Sequence, residues 1–358
     1  MRTARAPGRV NLIGDHTDYQ DGYCLPMAID REVRAAFTPR ADPRVVVRSH
    51  ELAGTVGVAA GGTGDPASVE PAWGRTVAAV LTALAARGRA PVGFEADVSS
   101  TIPVGAGLSS SAAFEVAIAL AAADVAGLEL SARDLARAAQ EAEHRATGVP
   151  CGLMDQLACV AGRAGHALLL DCRTLAIEPV ALPPGVAVVV AHSGVARRLE
   201  QSAYAERRAA CEAAAARLGV DALRDATLEQ VAADPIARHV VSENARVLAF
   251  VDALRRGDAA RCGALMLESH ASLRDDFEVS TPELDALVDR LLDAGAYGAR
   301  LTGAGFGGCA VALTPARAAE RVAQEVEGWV VHAAGGAGII EPGDGGAHGE
   351  HLQPDHRG

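Results

Sequence analysis

The alternation of apolar and polar positions along the chain predicts interleaved strands and helices. Short apolar or alternating runs, typical of strands, occupy residues 45–48, 55–58, 166–171, 186–191 and 309–313. Longer runs of helix-forming residues predict helices at 73–86, 112–126, 131–147, 203–218, 227–233, 242–256, 258–270 and 282–294. The segment from Pro179 to Pro184 interrupts this pattern and is the best candidate for a domain boundary.

The size and composition leave room for two domains around one cleft, or for one large domain. The chain has 358 residues, of which 49% are hydrophobic and 22% charged, as in ordinary globular proteins. Aromatic residues make up only 3%, so the core must consist mainly of Ala, Val and Leu. The formal net charge of −12 argues against nucleic acid or an anionic membrane as a partner.

The cysteines and the first residues predict a cytoplasmic protein. Seven cysteines, an odd number and never spaced Cys-x-x-Cys, are typical of buried free thiols in a reducing compartment. The sequence begins Met-Arg-Thr-Ala-Arg-Ala-Pro without an apolar signal region, and no uncharged run of 18 apolar residues follows.

The stretch from Pro103 to Ala113, Pro-Val-Gly-Ala-Gly-Leu-Ser-Ser-Ser-Ala-Ala, has the features of a phosphate-binding loop. It joins the strand-like end at 98–102 to an apolar helix, so the free N–H groups of a helix N-terminus face the turn. Gly105 and Gly107 allow an anion to approach the backbone, and three serine hydroxyls add donors and a possible metal ligand. The alternative interpretation is a buried helix with an ordinary serine cap.

The basic residues narrow the kinds of phosphate chemistry that are possible. All 33 are arginine, and the sequence contains no lysine. This excludes the Walker P-loop, the protein-kinase plan with its strand lysine, and every Schiff-base enzyme. Arginine, backbone dipoles and a metal ion must therefore neutralise any bound phosphate.

Residues 6–23 hold the densest group of polar side chains. Asp15, His16, Asp18 and Tyr19 offer donors and acceptors at nearly adjacent positions, as recognition of a polyhydroxylated ligand requires. A hydrogen-bonded surface loop is the alternative. A metal site is less favoured, because His16 and Asp18 have no third ligand at a suitable spacing.

Two further residues have both a structural and a functional interpretation. Trp73 begins a predicted helix, where its ring could stack on a flat ligand or fill a gap in the core. Asp155 follows a Pro/Gly turn near the start of a buried helix, where it is either a partner of the helix dipole or a site residue.

Two motifs resemble sites that their context rules out. Glu141-x-x-His144 occurs once, whereas a di-metal carboxylate site needs two copies. The glycines at 303, 305 and 308 form Gly-x-Gly-x-x-Gly, but a strand follows where a dinucleotide fold requires a helix. A glycine turn within a hairpin that faces the cleft fits this stretch better.

Three blocks together resemble the GHMP small-molecule kinases and, among them, the galactokinases. They are Gly-Arg-Val-Asn-Leu-Ile-Gly-x-His-Thr-Asp-Tyr at 8–19, Pro-x-Gly-x-Gly-Leu-Ser-Ser-Ser-Ala at 103–112 and Thr-Gly-x-Gly-Phe-Gly-Gly-Cys at 302–309. Glu143-His, Pro150 to Gln156 and Ser202 to Cys211 also fit the family pattern. The first block is specific to sugar kinases of this type, whereas the second is shared across the superfamily.

The resemblance implies a two-domain α/β (α+β) fold with the site between the domains. Residues 1–182 would form a ribosomal-protein-S5-like domain with a left-handed crossover, and residues 183–346 a ferredoxin-like domain. Residues 347–358 are expected to form a disordered tail. The oligomeric state is left open, with a monomer as the simplest expectation.

The implied reaction is phosphoryl transfer from MgATP to the anomeric hydroxyl of galactose. The resemblance places Asp155 at that hydroxyl as base or orienter, with Arg9 beside it, and gives Mg²⁺ to Ser111 and Glu143. The sugar would contact Asp15, His16, Thr17, Asp18, Gly152 and Tyr204. The ATP phosphates would contact Gly105, Ala106, Gly107, Leu108, Ser109, Ser110 and Ser111, with Trp73 near the adenine.

One position departs from the family pattern, since Asp15 stands where the family has glutamate. The chemistry is unaffected, but the identity of the sugar stays open. Another hexose, an amino sugar or a pentose is the nearest alternative substrate. A non-catalytic sugar sensor of the same fold is the alternative from another functional class.

Overall fold

A computed structural model describes residues 1–63, 65–103, 105–195 and 200–341. Its strands are β1 Arg2–Asn11, β2 Tyr23–Cys24, β3 Pro26–Pro39, β4 Arg44–Ser49, β5 Thr55–Ala59, β6 Phe94–Ser100, β7 His166–Asp171, β8 Ala176–Ala181, β9 Val186–His192, β10 Gly298–Leu301, β11 Cys309–Pro315, β12 Trp329–Val331 and β13 Gly338–Ile340. Its α-helices are α1 Gly74–Ala85, α2 Ser110–Val125, α3 Ala132–Thr147, α4 Met154–Ala161, α5 Glu200–Leu218, α6 Pro235–Arg255, α7 Ala259–Asp275, α8 Pro282–Asp293 and α9 Ala319–Glu325. The tail predicted at 347–358 lies outside these ranges.

The first half of the chain is built on a six-stranded sheet in the order β13-β1-β3-β6-β4-β5. Neighbouring strands are antiparallel except β4 and β6, which are parallel. Helix α2 packs on β1 and β3 and also contacts α1 and α3, so it is covered on several sides. This explains why its sequence is apolar all round and rich in alanine, whose small side chain permits close packing.

The second half contains a four-stranded antiparallel sheet in the order β10-β11-β9-β12. Along the chain its strands follow the pattern strand, helices, strand, strand, helix, strand, which is the ferredoxin-like arrangement. Hairpin β10–β11 carries the glycine turn at 302–308, as predicted from the strand that follows it.

The structure corrects two of the predicted elements. Residues 228–233 form turns rather than the predicted helix, because Asp234 caps the next helix through Ala237 N and Pro235 occupies its first position. That helix, α6, therefore begins earlier than the predicted residue 242. Strand β8 also extends through Pro179, into the segment that was predicted as a domain boundary. Because β8 lies at the edge of the sheet β2-β7-β8, its outer N–H groups need no partner and proline is tolerated there.

The division into domains at 182/183 stays a prediction. Strand β9 opens the second sheet just after this point, whereas β13 returns to pair with β1 at the edge of the first sheet. Within the described ranges, no helix is both long and apolar enough to cross a membrane.

Candidate active site

A cavity of about 310 Å³ lies where the two halves of the chain meet. This is within the size range of small-molecule sites. Its walls come from β1, the loops after β1 and β10, the loop before α2, the α3–α4 segment and α5. The predicted residues that line it are Arg9, Asp15, His16, Asp18, Gly105, Gly107, Ser109, Ser110, Ser111, Glu143, Gly152, Asp155 and Tyr204.

The glycine–serine loop (residues 105–111) forms one wall. Gly105 and Gly107 both have φ of 73°, in the left-handed region that glycine adopts without strain. Ser109 shares this conformation at φ 58°, which is uncommon for a residue with a side chain. Rather than capping α2, its hydroxyl donates to Asp155 Oδ2 at 2.6 Å. The alternative of an ordinary serine cap is therefore wrong, and Ser109 leaves the first N–H groups of α2 without a side-chain cap.

Asp155 lies in the first turn of α4 and is held by Arg9. The guanidinium donates to both carboxylate oxygens, from Nε to Oδ1 at 2.8 Å and from Nη2 to Oδ2 at 2.7 Å. Arg9 Nη1 also donates to Gly107 O at 2.8 Å, which ties the pair to the glycine–serine loop. Burial lowers the pKa of Arg9, but the charges of Asp155 and Asp15 and the hydrogen bonds to Asp155 together outweigh burial and leave the pKa above its ordinary value.

Glu143 approaches the same loop from α3. Ser111 Oγ donates to its Oε1 at 3.4 Å, so a hydroxyl and a carboxylate face one point beside the loop. Burial, with the charge of Asp155, raises the pKa of Glu143. Its neighbour His144 bonds through Nε2 to Cys151 O at 2.9 Å, a structural contact that agrees with rejecting Glu-x-x-His as a metal motif.

Behind Glu143 lies a layer that sequence reasoning missed. Gln156 and Glu115 are both fully buried, and Gln156 Nε2 donates to Glu143 Oε2 at 2.7 Å and to Glu115 Oε2 at 3.3 Å. Burial, reinforced by the charge of Glu143, raises the pKa of Glu115 well above its ordinary value. The available signal was an acidic residue, Glu115, in the middle of the apolar helix α2.

The acidic loop (residues 14–19) forms the opposite wall. Asp15 Oδ2 forms an ion pair with Arg300 Nη2 at 2.6 Å, and Gly303 N donates to Oδ1 at 3.1 Å. Burial raises the pKa of Asp15, and Arg300 opposes that shift. Arg300 is completely buried on β10 and also donates from Nε to Ser269 Oγ at 3.1 Å. Nothing in the sequence around Arg300 distinguished it from the other arginines.

His16 is fixed as a neutral ring in the same loop. Its Nε2 lies 3.1 Å from the carbonyl oxygen of Ala304, so this nitrogen carries the proton, and Nδ1 accepts from the Tyr19 hydroxyl at 2.9 Å. Burial lowers the pKa of His16 to about 3. The ring therefore contributes shape and a rim of the cavity rather than charge.

One end of the cavity, beside the acidic loop, is lined by Asp18, Gly152 and Tyr204. A Cβ atom on Gly152 would lie 1.6 Å from Asp18 Oδ2, so only glycine fits there. Burial, followed by the charges of Asp155 and Asp15, raises the pKa of Asp18 to about 7. The ring centroid of Tyr204 lies 5.6 Å from that of His16 and closes this end of the cavity.

Four of the predicted contact residues lie outside the cavity wall. The Thr17 hydroxyl is buried and donates to the backbone oxygens of Gly14 at 3.0 Å and Tyr23 at 2.8 Å, which shapes the acidic loop. Ala106 and Leu108 belong to the glycine–serine loop, but both are buried. Trp73 contacts the Phe114 ring edge-on and donates from Nε1 to Ala53 O at 3.0 Å. Contact of these four with a ligand stays a prediction.

Three family models match the chain and together cover more than half of it. Residues 75–163 match the GHMP kinase N-terminal domain, and residues 250–331 match the GHMP kinase C-terminal domain. Residues 2–39 match the galactokinase galactose-binding signature.

Curated relatives and solved structures agree with these models. The chain is 48% identical to the galactokinase of Roseiflexus sp. (strain RS-1), covering 86% of this chain and 82% of the relative. It is 45% identical to that of Chloroflexus aggregans, covering 92% and 88%. The crystal structure of Lactococcus lactis galactokinase complexed with galactose superposes with a TM-score of 0.86 at 31% identity, covering 94% of both chains. Methanococcus jannaschii mevalonate kinase, at 17% identity and a TM-score of 0.68 over 92% and 98% of the chains, shares the fold.

Proposed function

Because the chain belongs to the galactokinase family of GHMP kinases, we propose that its cavity transfers the terminal phosphoryl group of ATP to the anomeric hydroxyl of galactose. The products are galactose 1-phosphate and ADP. The α/β fold that the resemblance implied is confirmed by the same family models and structural neighbour. The observation that carries the site assignment is Asp155, held by Arg9 and Ser109 between the acidic loop and the glycine–serine loop.

The acidic loop and its neighbours bind the sugar in this proposal. Asp15 and Asp18 supply carboxylate acceptors for hydroxyl groups, and the close approach of Asp18 to Gly152 narrows the pocket. His16 and Tyr204 supply ring surfaces at the rim. Asp15 and His16 are fixed by protein contacts before any sugar arrives, so little side-chain entropy is lost on binding.

The glycine–serine loop binds the phosphates of ATP. Backbone N–H groups at the loop and at the first turn of α2 provide donors and a favourable dipole for anions. Ser110 and Ser111 add hydroxyl donors from the cavity wall. Because the chain contains no lysine, the proposed phosphate binding relies on backbone N–H groups. Arg9, which donates to Gly107 O, places a positive charge beside the loop.

Ser111 and Glu143 have the donor chemistry that Mg²⁺ requires. Both offer hard oxygen atoms, and Mg²⁺ in kinases is typically bound by one or two protein oxygens together with substrate phosphates. Among the described residues, no group of three or more His, Cys, Asp and Glu side chains forms a self-sufficient metal site. A bound Mg²⁺ would supply charge neutralisation on the phosphates.

Asp155 orients the reacting hydroxyl and receives its proton as transfer proceeds. The carboxylate is charge-paired with Arg9 and keeps an acceptor position on Oδ1 free for the sugar, which favours hydrogen bonding over early proton removal. The bond between the anomeric oxygen and the terminal phosphorus forms as the bond from that phosphorus to the leaving oxygen of ADP breaks. Arg9 prevents Asp155 from turning away from the cavity.

A coupled assay of ADP release tests the proposal. Purified protein with ATP, Mg²⁺ and galactose should release ADP in proportion to galactose 1-phosphate formed, and omission of the sugar should abolish this. A panel with 2-amino-2-deoxygalactose, L-arabinose and 6-deoxygalactose tests the sugar, and galactose should give the highest kcat/KM. Galactose binding without ADP release would instead identify a sensor. We place the reaction in the cytoplasm, a proposal supported by the free thiols of Cys24, Cys151, Cys159, Cys172, Cys211 and Cys262.

A further inference from the structure

Gln156 directly follows the proposed catalytic Asp155, yet its side chain points into the protein rather than into the cavity. Its exposure is 0%, and one nitrogen, Nε2, contacts two carboxyl groups, at 2.7 Å from Glu143 Oε2 and 3.3 Å from Glu115 Oε2. A buried amide with two acidic neighbours on different helices is a specific arrangement, because α4 must be placed correctly against both α2 and α3.

Glu115 and Ser111 lie one turn apart on α2 and therefore share a helix face. Ser111 donates to one oxygen of Glu143, Oε1, at 3.4 Å, and Gln156 donates to the other. Both oxygens of Glu143 are thus held by contacts that depend on this face of α2 and on α4. Cys151 adds a weak thiol donor to Oε2 at 3.4 Å.

The orientation of the Gln156 amide carries a cost. Its carbonyl oxygen, Oε1, is buried without a hydrogen-bond donor among the described residues. An unpaired buried acceptor is destabilising, so the arrangement persists because the amide N–H groups satisfy the two carboxyls. Such a cost is typical of a site where geometry matters more than stability.

We propose that Gln156 and Glu115 are positioning residues that set the carboxylate of Glu143 for divalent-cation binding at the glycine–serine loop. The role of Glu143 rests on the proposed function. Gln156 holds the Glu143 oxygen that faces away from Ser111, and Glu115 anchors the amide from behind. Residues that orient metal ligands in this way change metal affinity by about 10–100-fold when replaced.

The test uses Gln156→Met, which keeps the length and volume of the side chain but removes its N–H groups. Binding of Mn²⁺ in the presence of ADP is followed by the paramagnetic resonance of free Mn²⁺, a readout that needs no turnover. We expect about tenfold weaker binding, with a kcat at saturating Mg²⁺ that stays within threefold of wild type. Mn²⁺ affinity within twofold of wild type would overturn the proposal.

Gln140→Met is the matched control. Gln140 on α3 also donates a partly buried amide hydrogen bond, to Cys151 O at 3.0 Å, but among the described residues it has no hydrogen bond to Glu143. This variant should leave Mn²⁺ affinity within twofold of wild type. An equal loss in both methionine variants would show that the effect is general softening of the α3–α4 region, which contradicts the proposal.

Two variants of Glu115 separate hydrogen bonding from packing. Glu115→Gln keeps the shape and can donate to the unpaired Gln156 Oε1, so we expect Mn²⁺ affinity within threefold of wild type. Glu115→Leu removes the anchor, and we expect about a tenfold loss. Equal losses in both would overturn the anchoring role of Glu115. Should Glu115→Leu fail to fold, Gln156→Met and Glu115→Gln still decide the question.

Calorimetric titration with galactose keeps the two proposals apart. We expect each soluble variant to bind galactose within twofold of wild type, because these residues lie behind the phosphate end of the cavity. Failure of the wild-type chain to bind galactose or to release ADP would overturn the proposed function, whereas the Mn²⁺ titration would still test how Gln156 positions Glu143.

Discussion

The two walls of the cavity are built in contrasting ways. The glycine–serine loop presents backbone N–H groups and hydroxyls, and its conformation follows from glycine and serine residues that are adjacent in sequence. The acidic loop presents side chains, and these are fixed by residues far along the chain, among them Arg300 and Ser269. A phosphate can be recognised by its charge alone, whereas one sugar must be distinguished from others by fixed hydrogen-bond partners. The wall to which we assign the sugar therefore depends more on tertiary structure than the wall to which we assign the phosphates.

The buried network behind the acidic loop shows how this dependence arises. Glu243 on α6 accepts from Gly14 N at 3.0 Å and from Ser269 Oγ at 2.6 Å, while Arg300 donates to the same serine. Burial disfavours the charged form of Glu243, but Arg246 and the other polar neighbours together outweigh burial and lower the pKa of Glu243 to about 2. Residues of α6, α7 and β10 are thus connected to the acidic loop by hydrogen bonds and an ion pair.

The largest effect is expected where the two walls meet, at Asp155. Asp155→Asn keeps the shape but removes the charge that pairs with Arg9 and the ability to take the hydroxyl proton. We expect kcat to fall by about 10²–10⁴-fold, with ADP affinity within threefold of wild type because the glycine–serine loop is unchanged. Steady-state kinetics and calorimetry measure the two quantities. A kcat above half the wild-type value would contradict the role given to Asp155.

Arg300→Met tests whether the acidic loop depends on its distant ion pair. The substitution leaves Asp15 buried without its cation, so the free energy of unfolding should fall by about 3–5 kcal/mol. Arg321→Met removes an exposed pair with Glu325 and should cost less than about 0.5 kcal/mol. Urea denaturation compares the two. Adding Asp15→Asn should recover part of the loss, and strict additivity would show that the pair is not coupled.

Sequence reasoning succeeded where the chemistry was local. The glycines at 105 and 107, the serine run and the placement of Asp155 are all readable within short segments, and the structure brings them together around the cavity. It failed where the function of a residue comes from residues distant in sequence. Arg300 is one arginine on a four-residue strand, and only the fold places it beside Asp15.

The same division applies to the fold. Helices with strong periodicity, such as α1, α3 and α8, begin and end within a residue or two of their predicted limits. Strand β3 was missed because charged residues interrupt its middle, Asp30 to Glu32, where an exposed position falls among buried ones. The resemblance implied that Thr17 contacts the sugar; its hydroxyl donates to the backbone oxygens of Gly14 and Tyr23, and its contact with a ligand stays a prediction.

The protonation of Asp18 should make the stability of the protein depend on pH. This test concerns the acidic loop and not the glycine–serine loop. Its pKa is raised from 3.8 to about 7, chiefly by burial, so between these values the folded chain holds a proton that the unfolded chain has released. Stability must then fall as the pH rises through this window, by at most about 1.4 kcal/mol per pH unit.

Thermal or urea unfolding from pH 5 to 7.5, without sugar, measures this slope. We expect Asp18→Asn to have a shallower slope than wild type, because the amide cannot titrate. Asp289→Asn, at an exposed position on α8, is the control and should keep the wild-type slope. Identical slopes in wild type and Asp18→Asn would show that Asp18 is charged throughout the range.

The smallest effect, and the sharpest test of the contrast between the walls, concerns the length of residue 15. Both oxygens of Asp15 already have partners in Arg300 and Gly303 N, and the side chain is one methylene shorter than the family glutamate. Asp15→Glu should extend the carboxylate by roughly 1–1.5 Å toward the cavity, enough to replace a water-bridged contact with a direct one. We expect kcat to stay within about twofold, because we assign the anomeric hydroxyl to Asp155 and not to residue 15. A direct charged hydrogen bond should raise the preference for galactose over 6-deoxygalactose by roughly tenfold, at the low end of the range for such bonds.

Asp15→Asn, which loses charge but not length, should weaken the binding of both sugars alike. An unchanged preference in Asp15→Glu would mean that Arg300 holds the longer side chain back as firmly as it holds the aspartate.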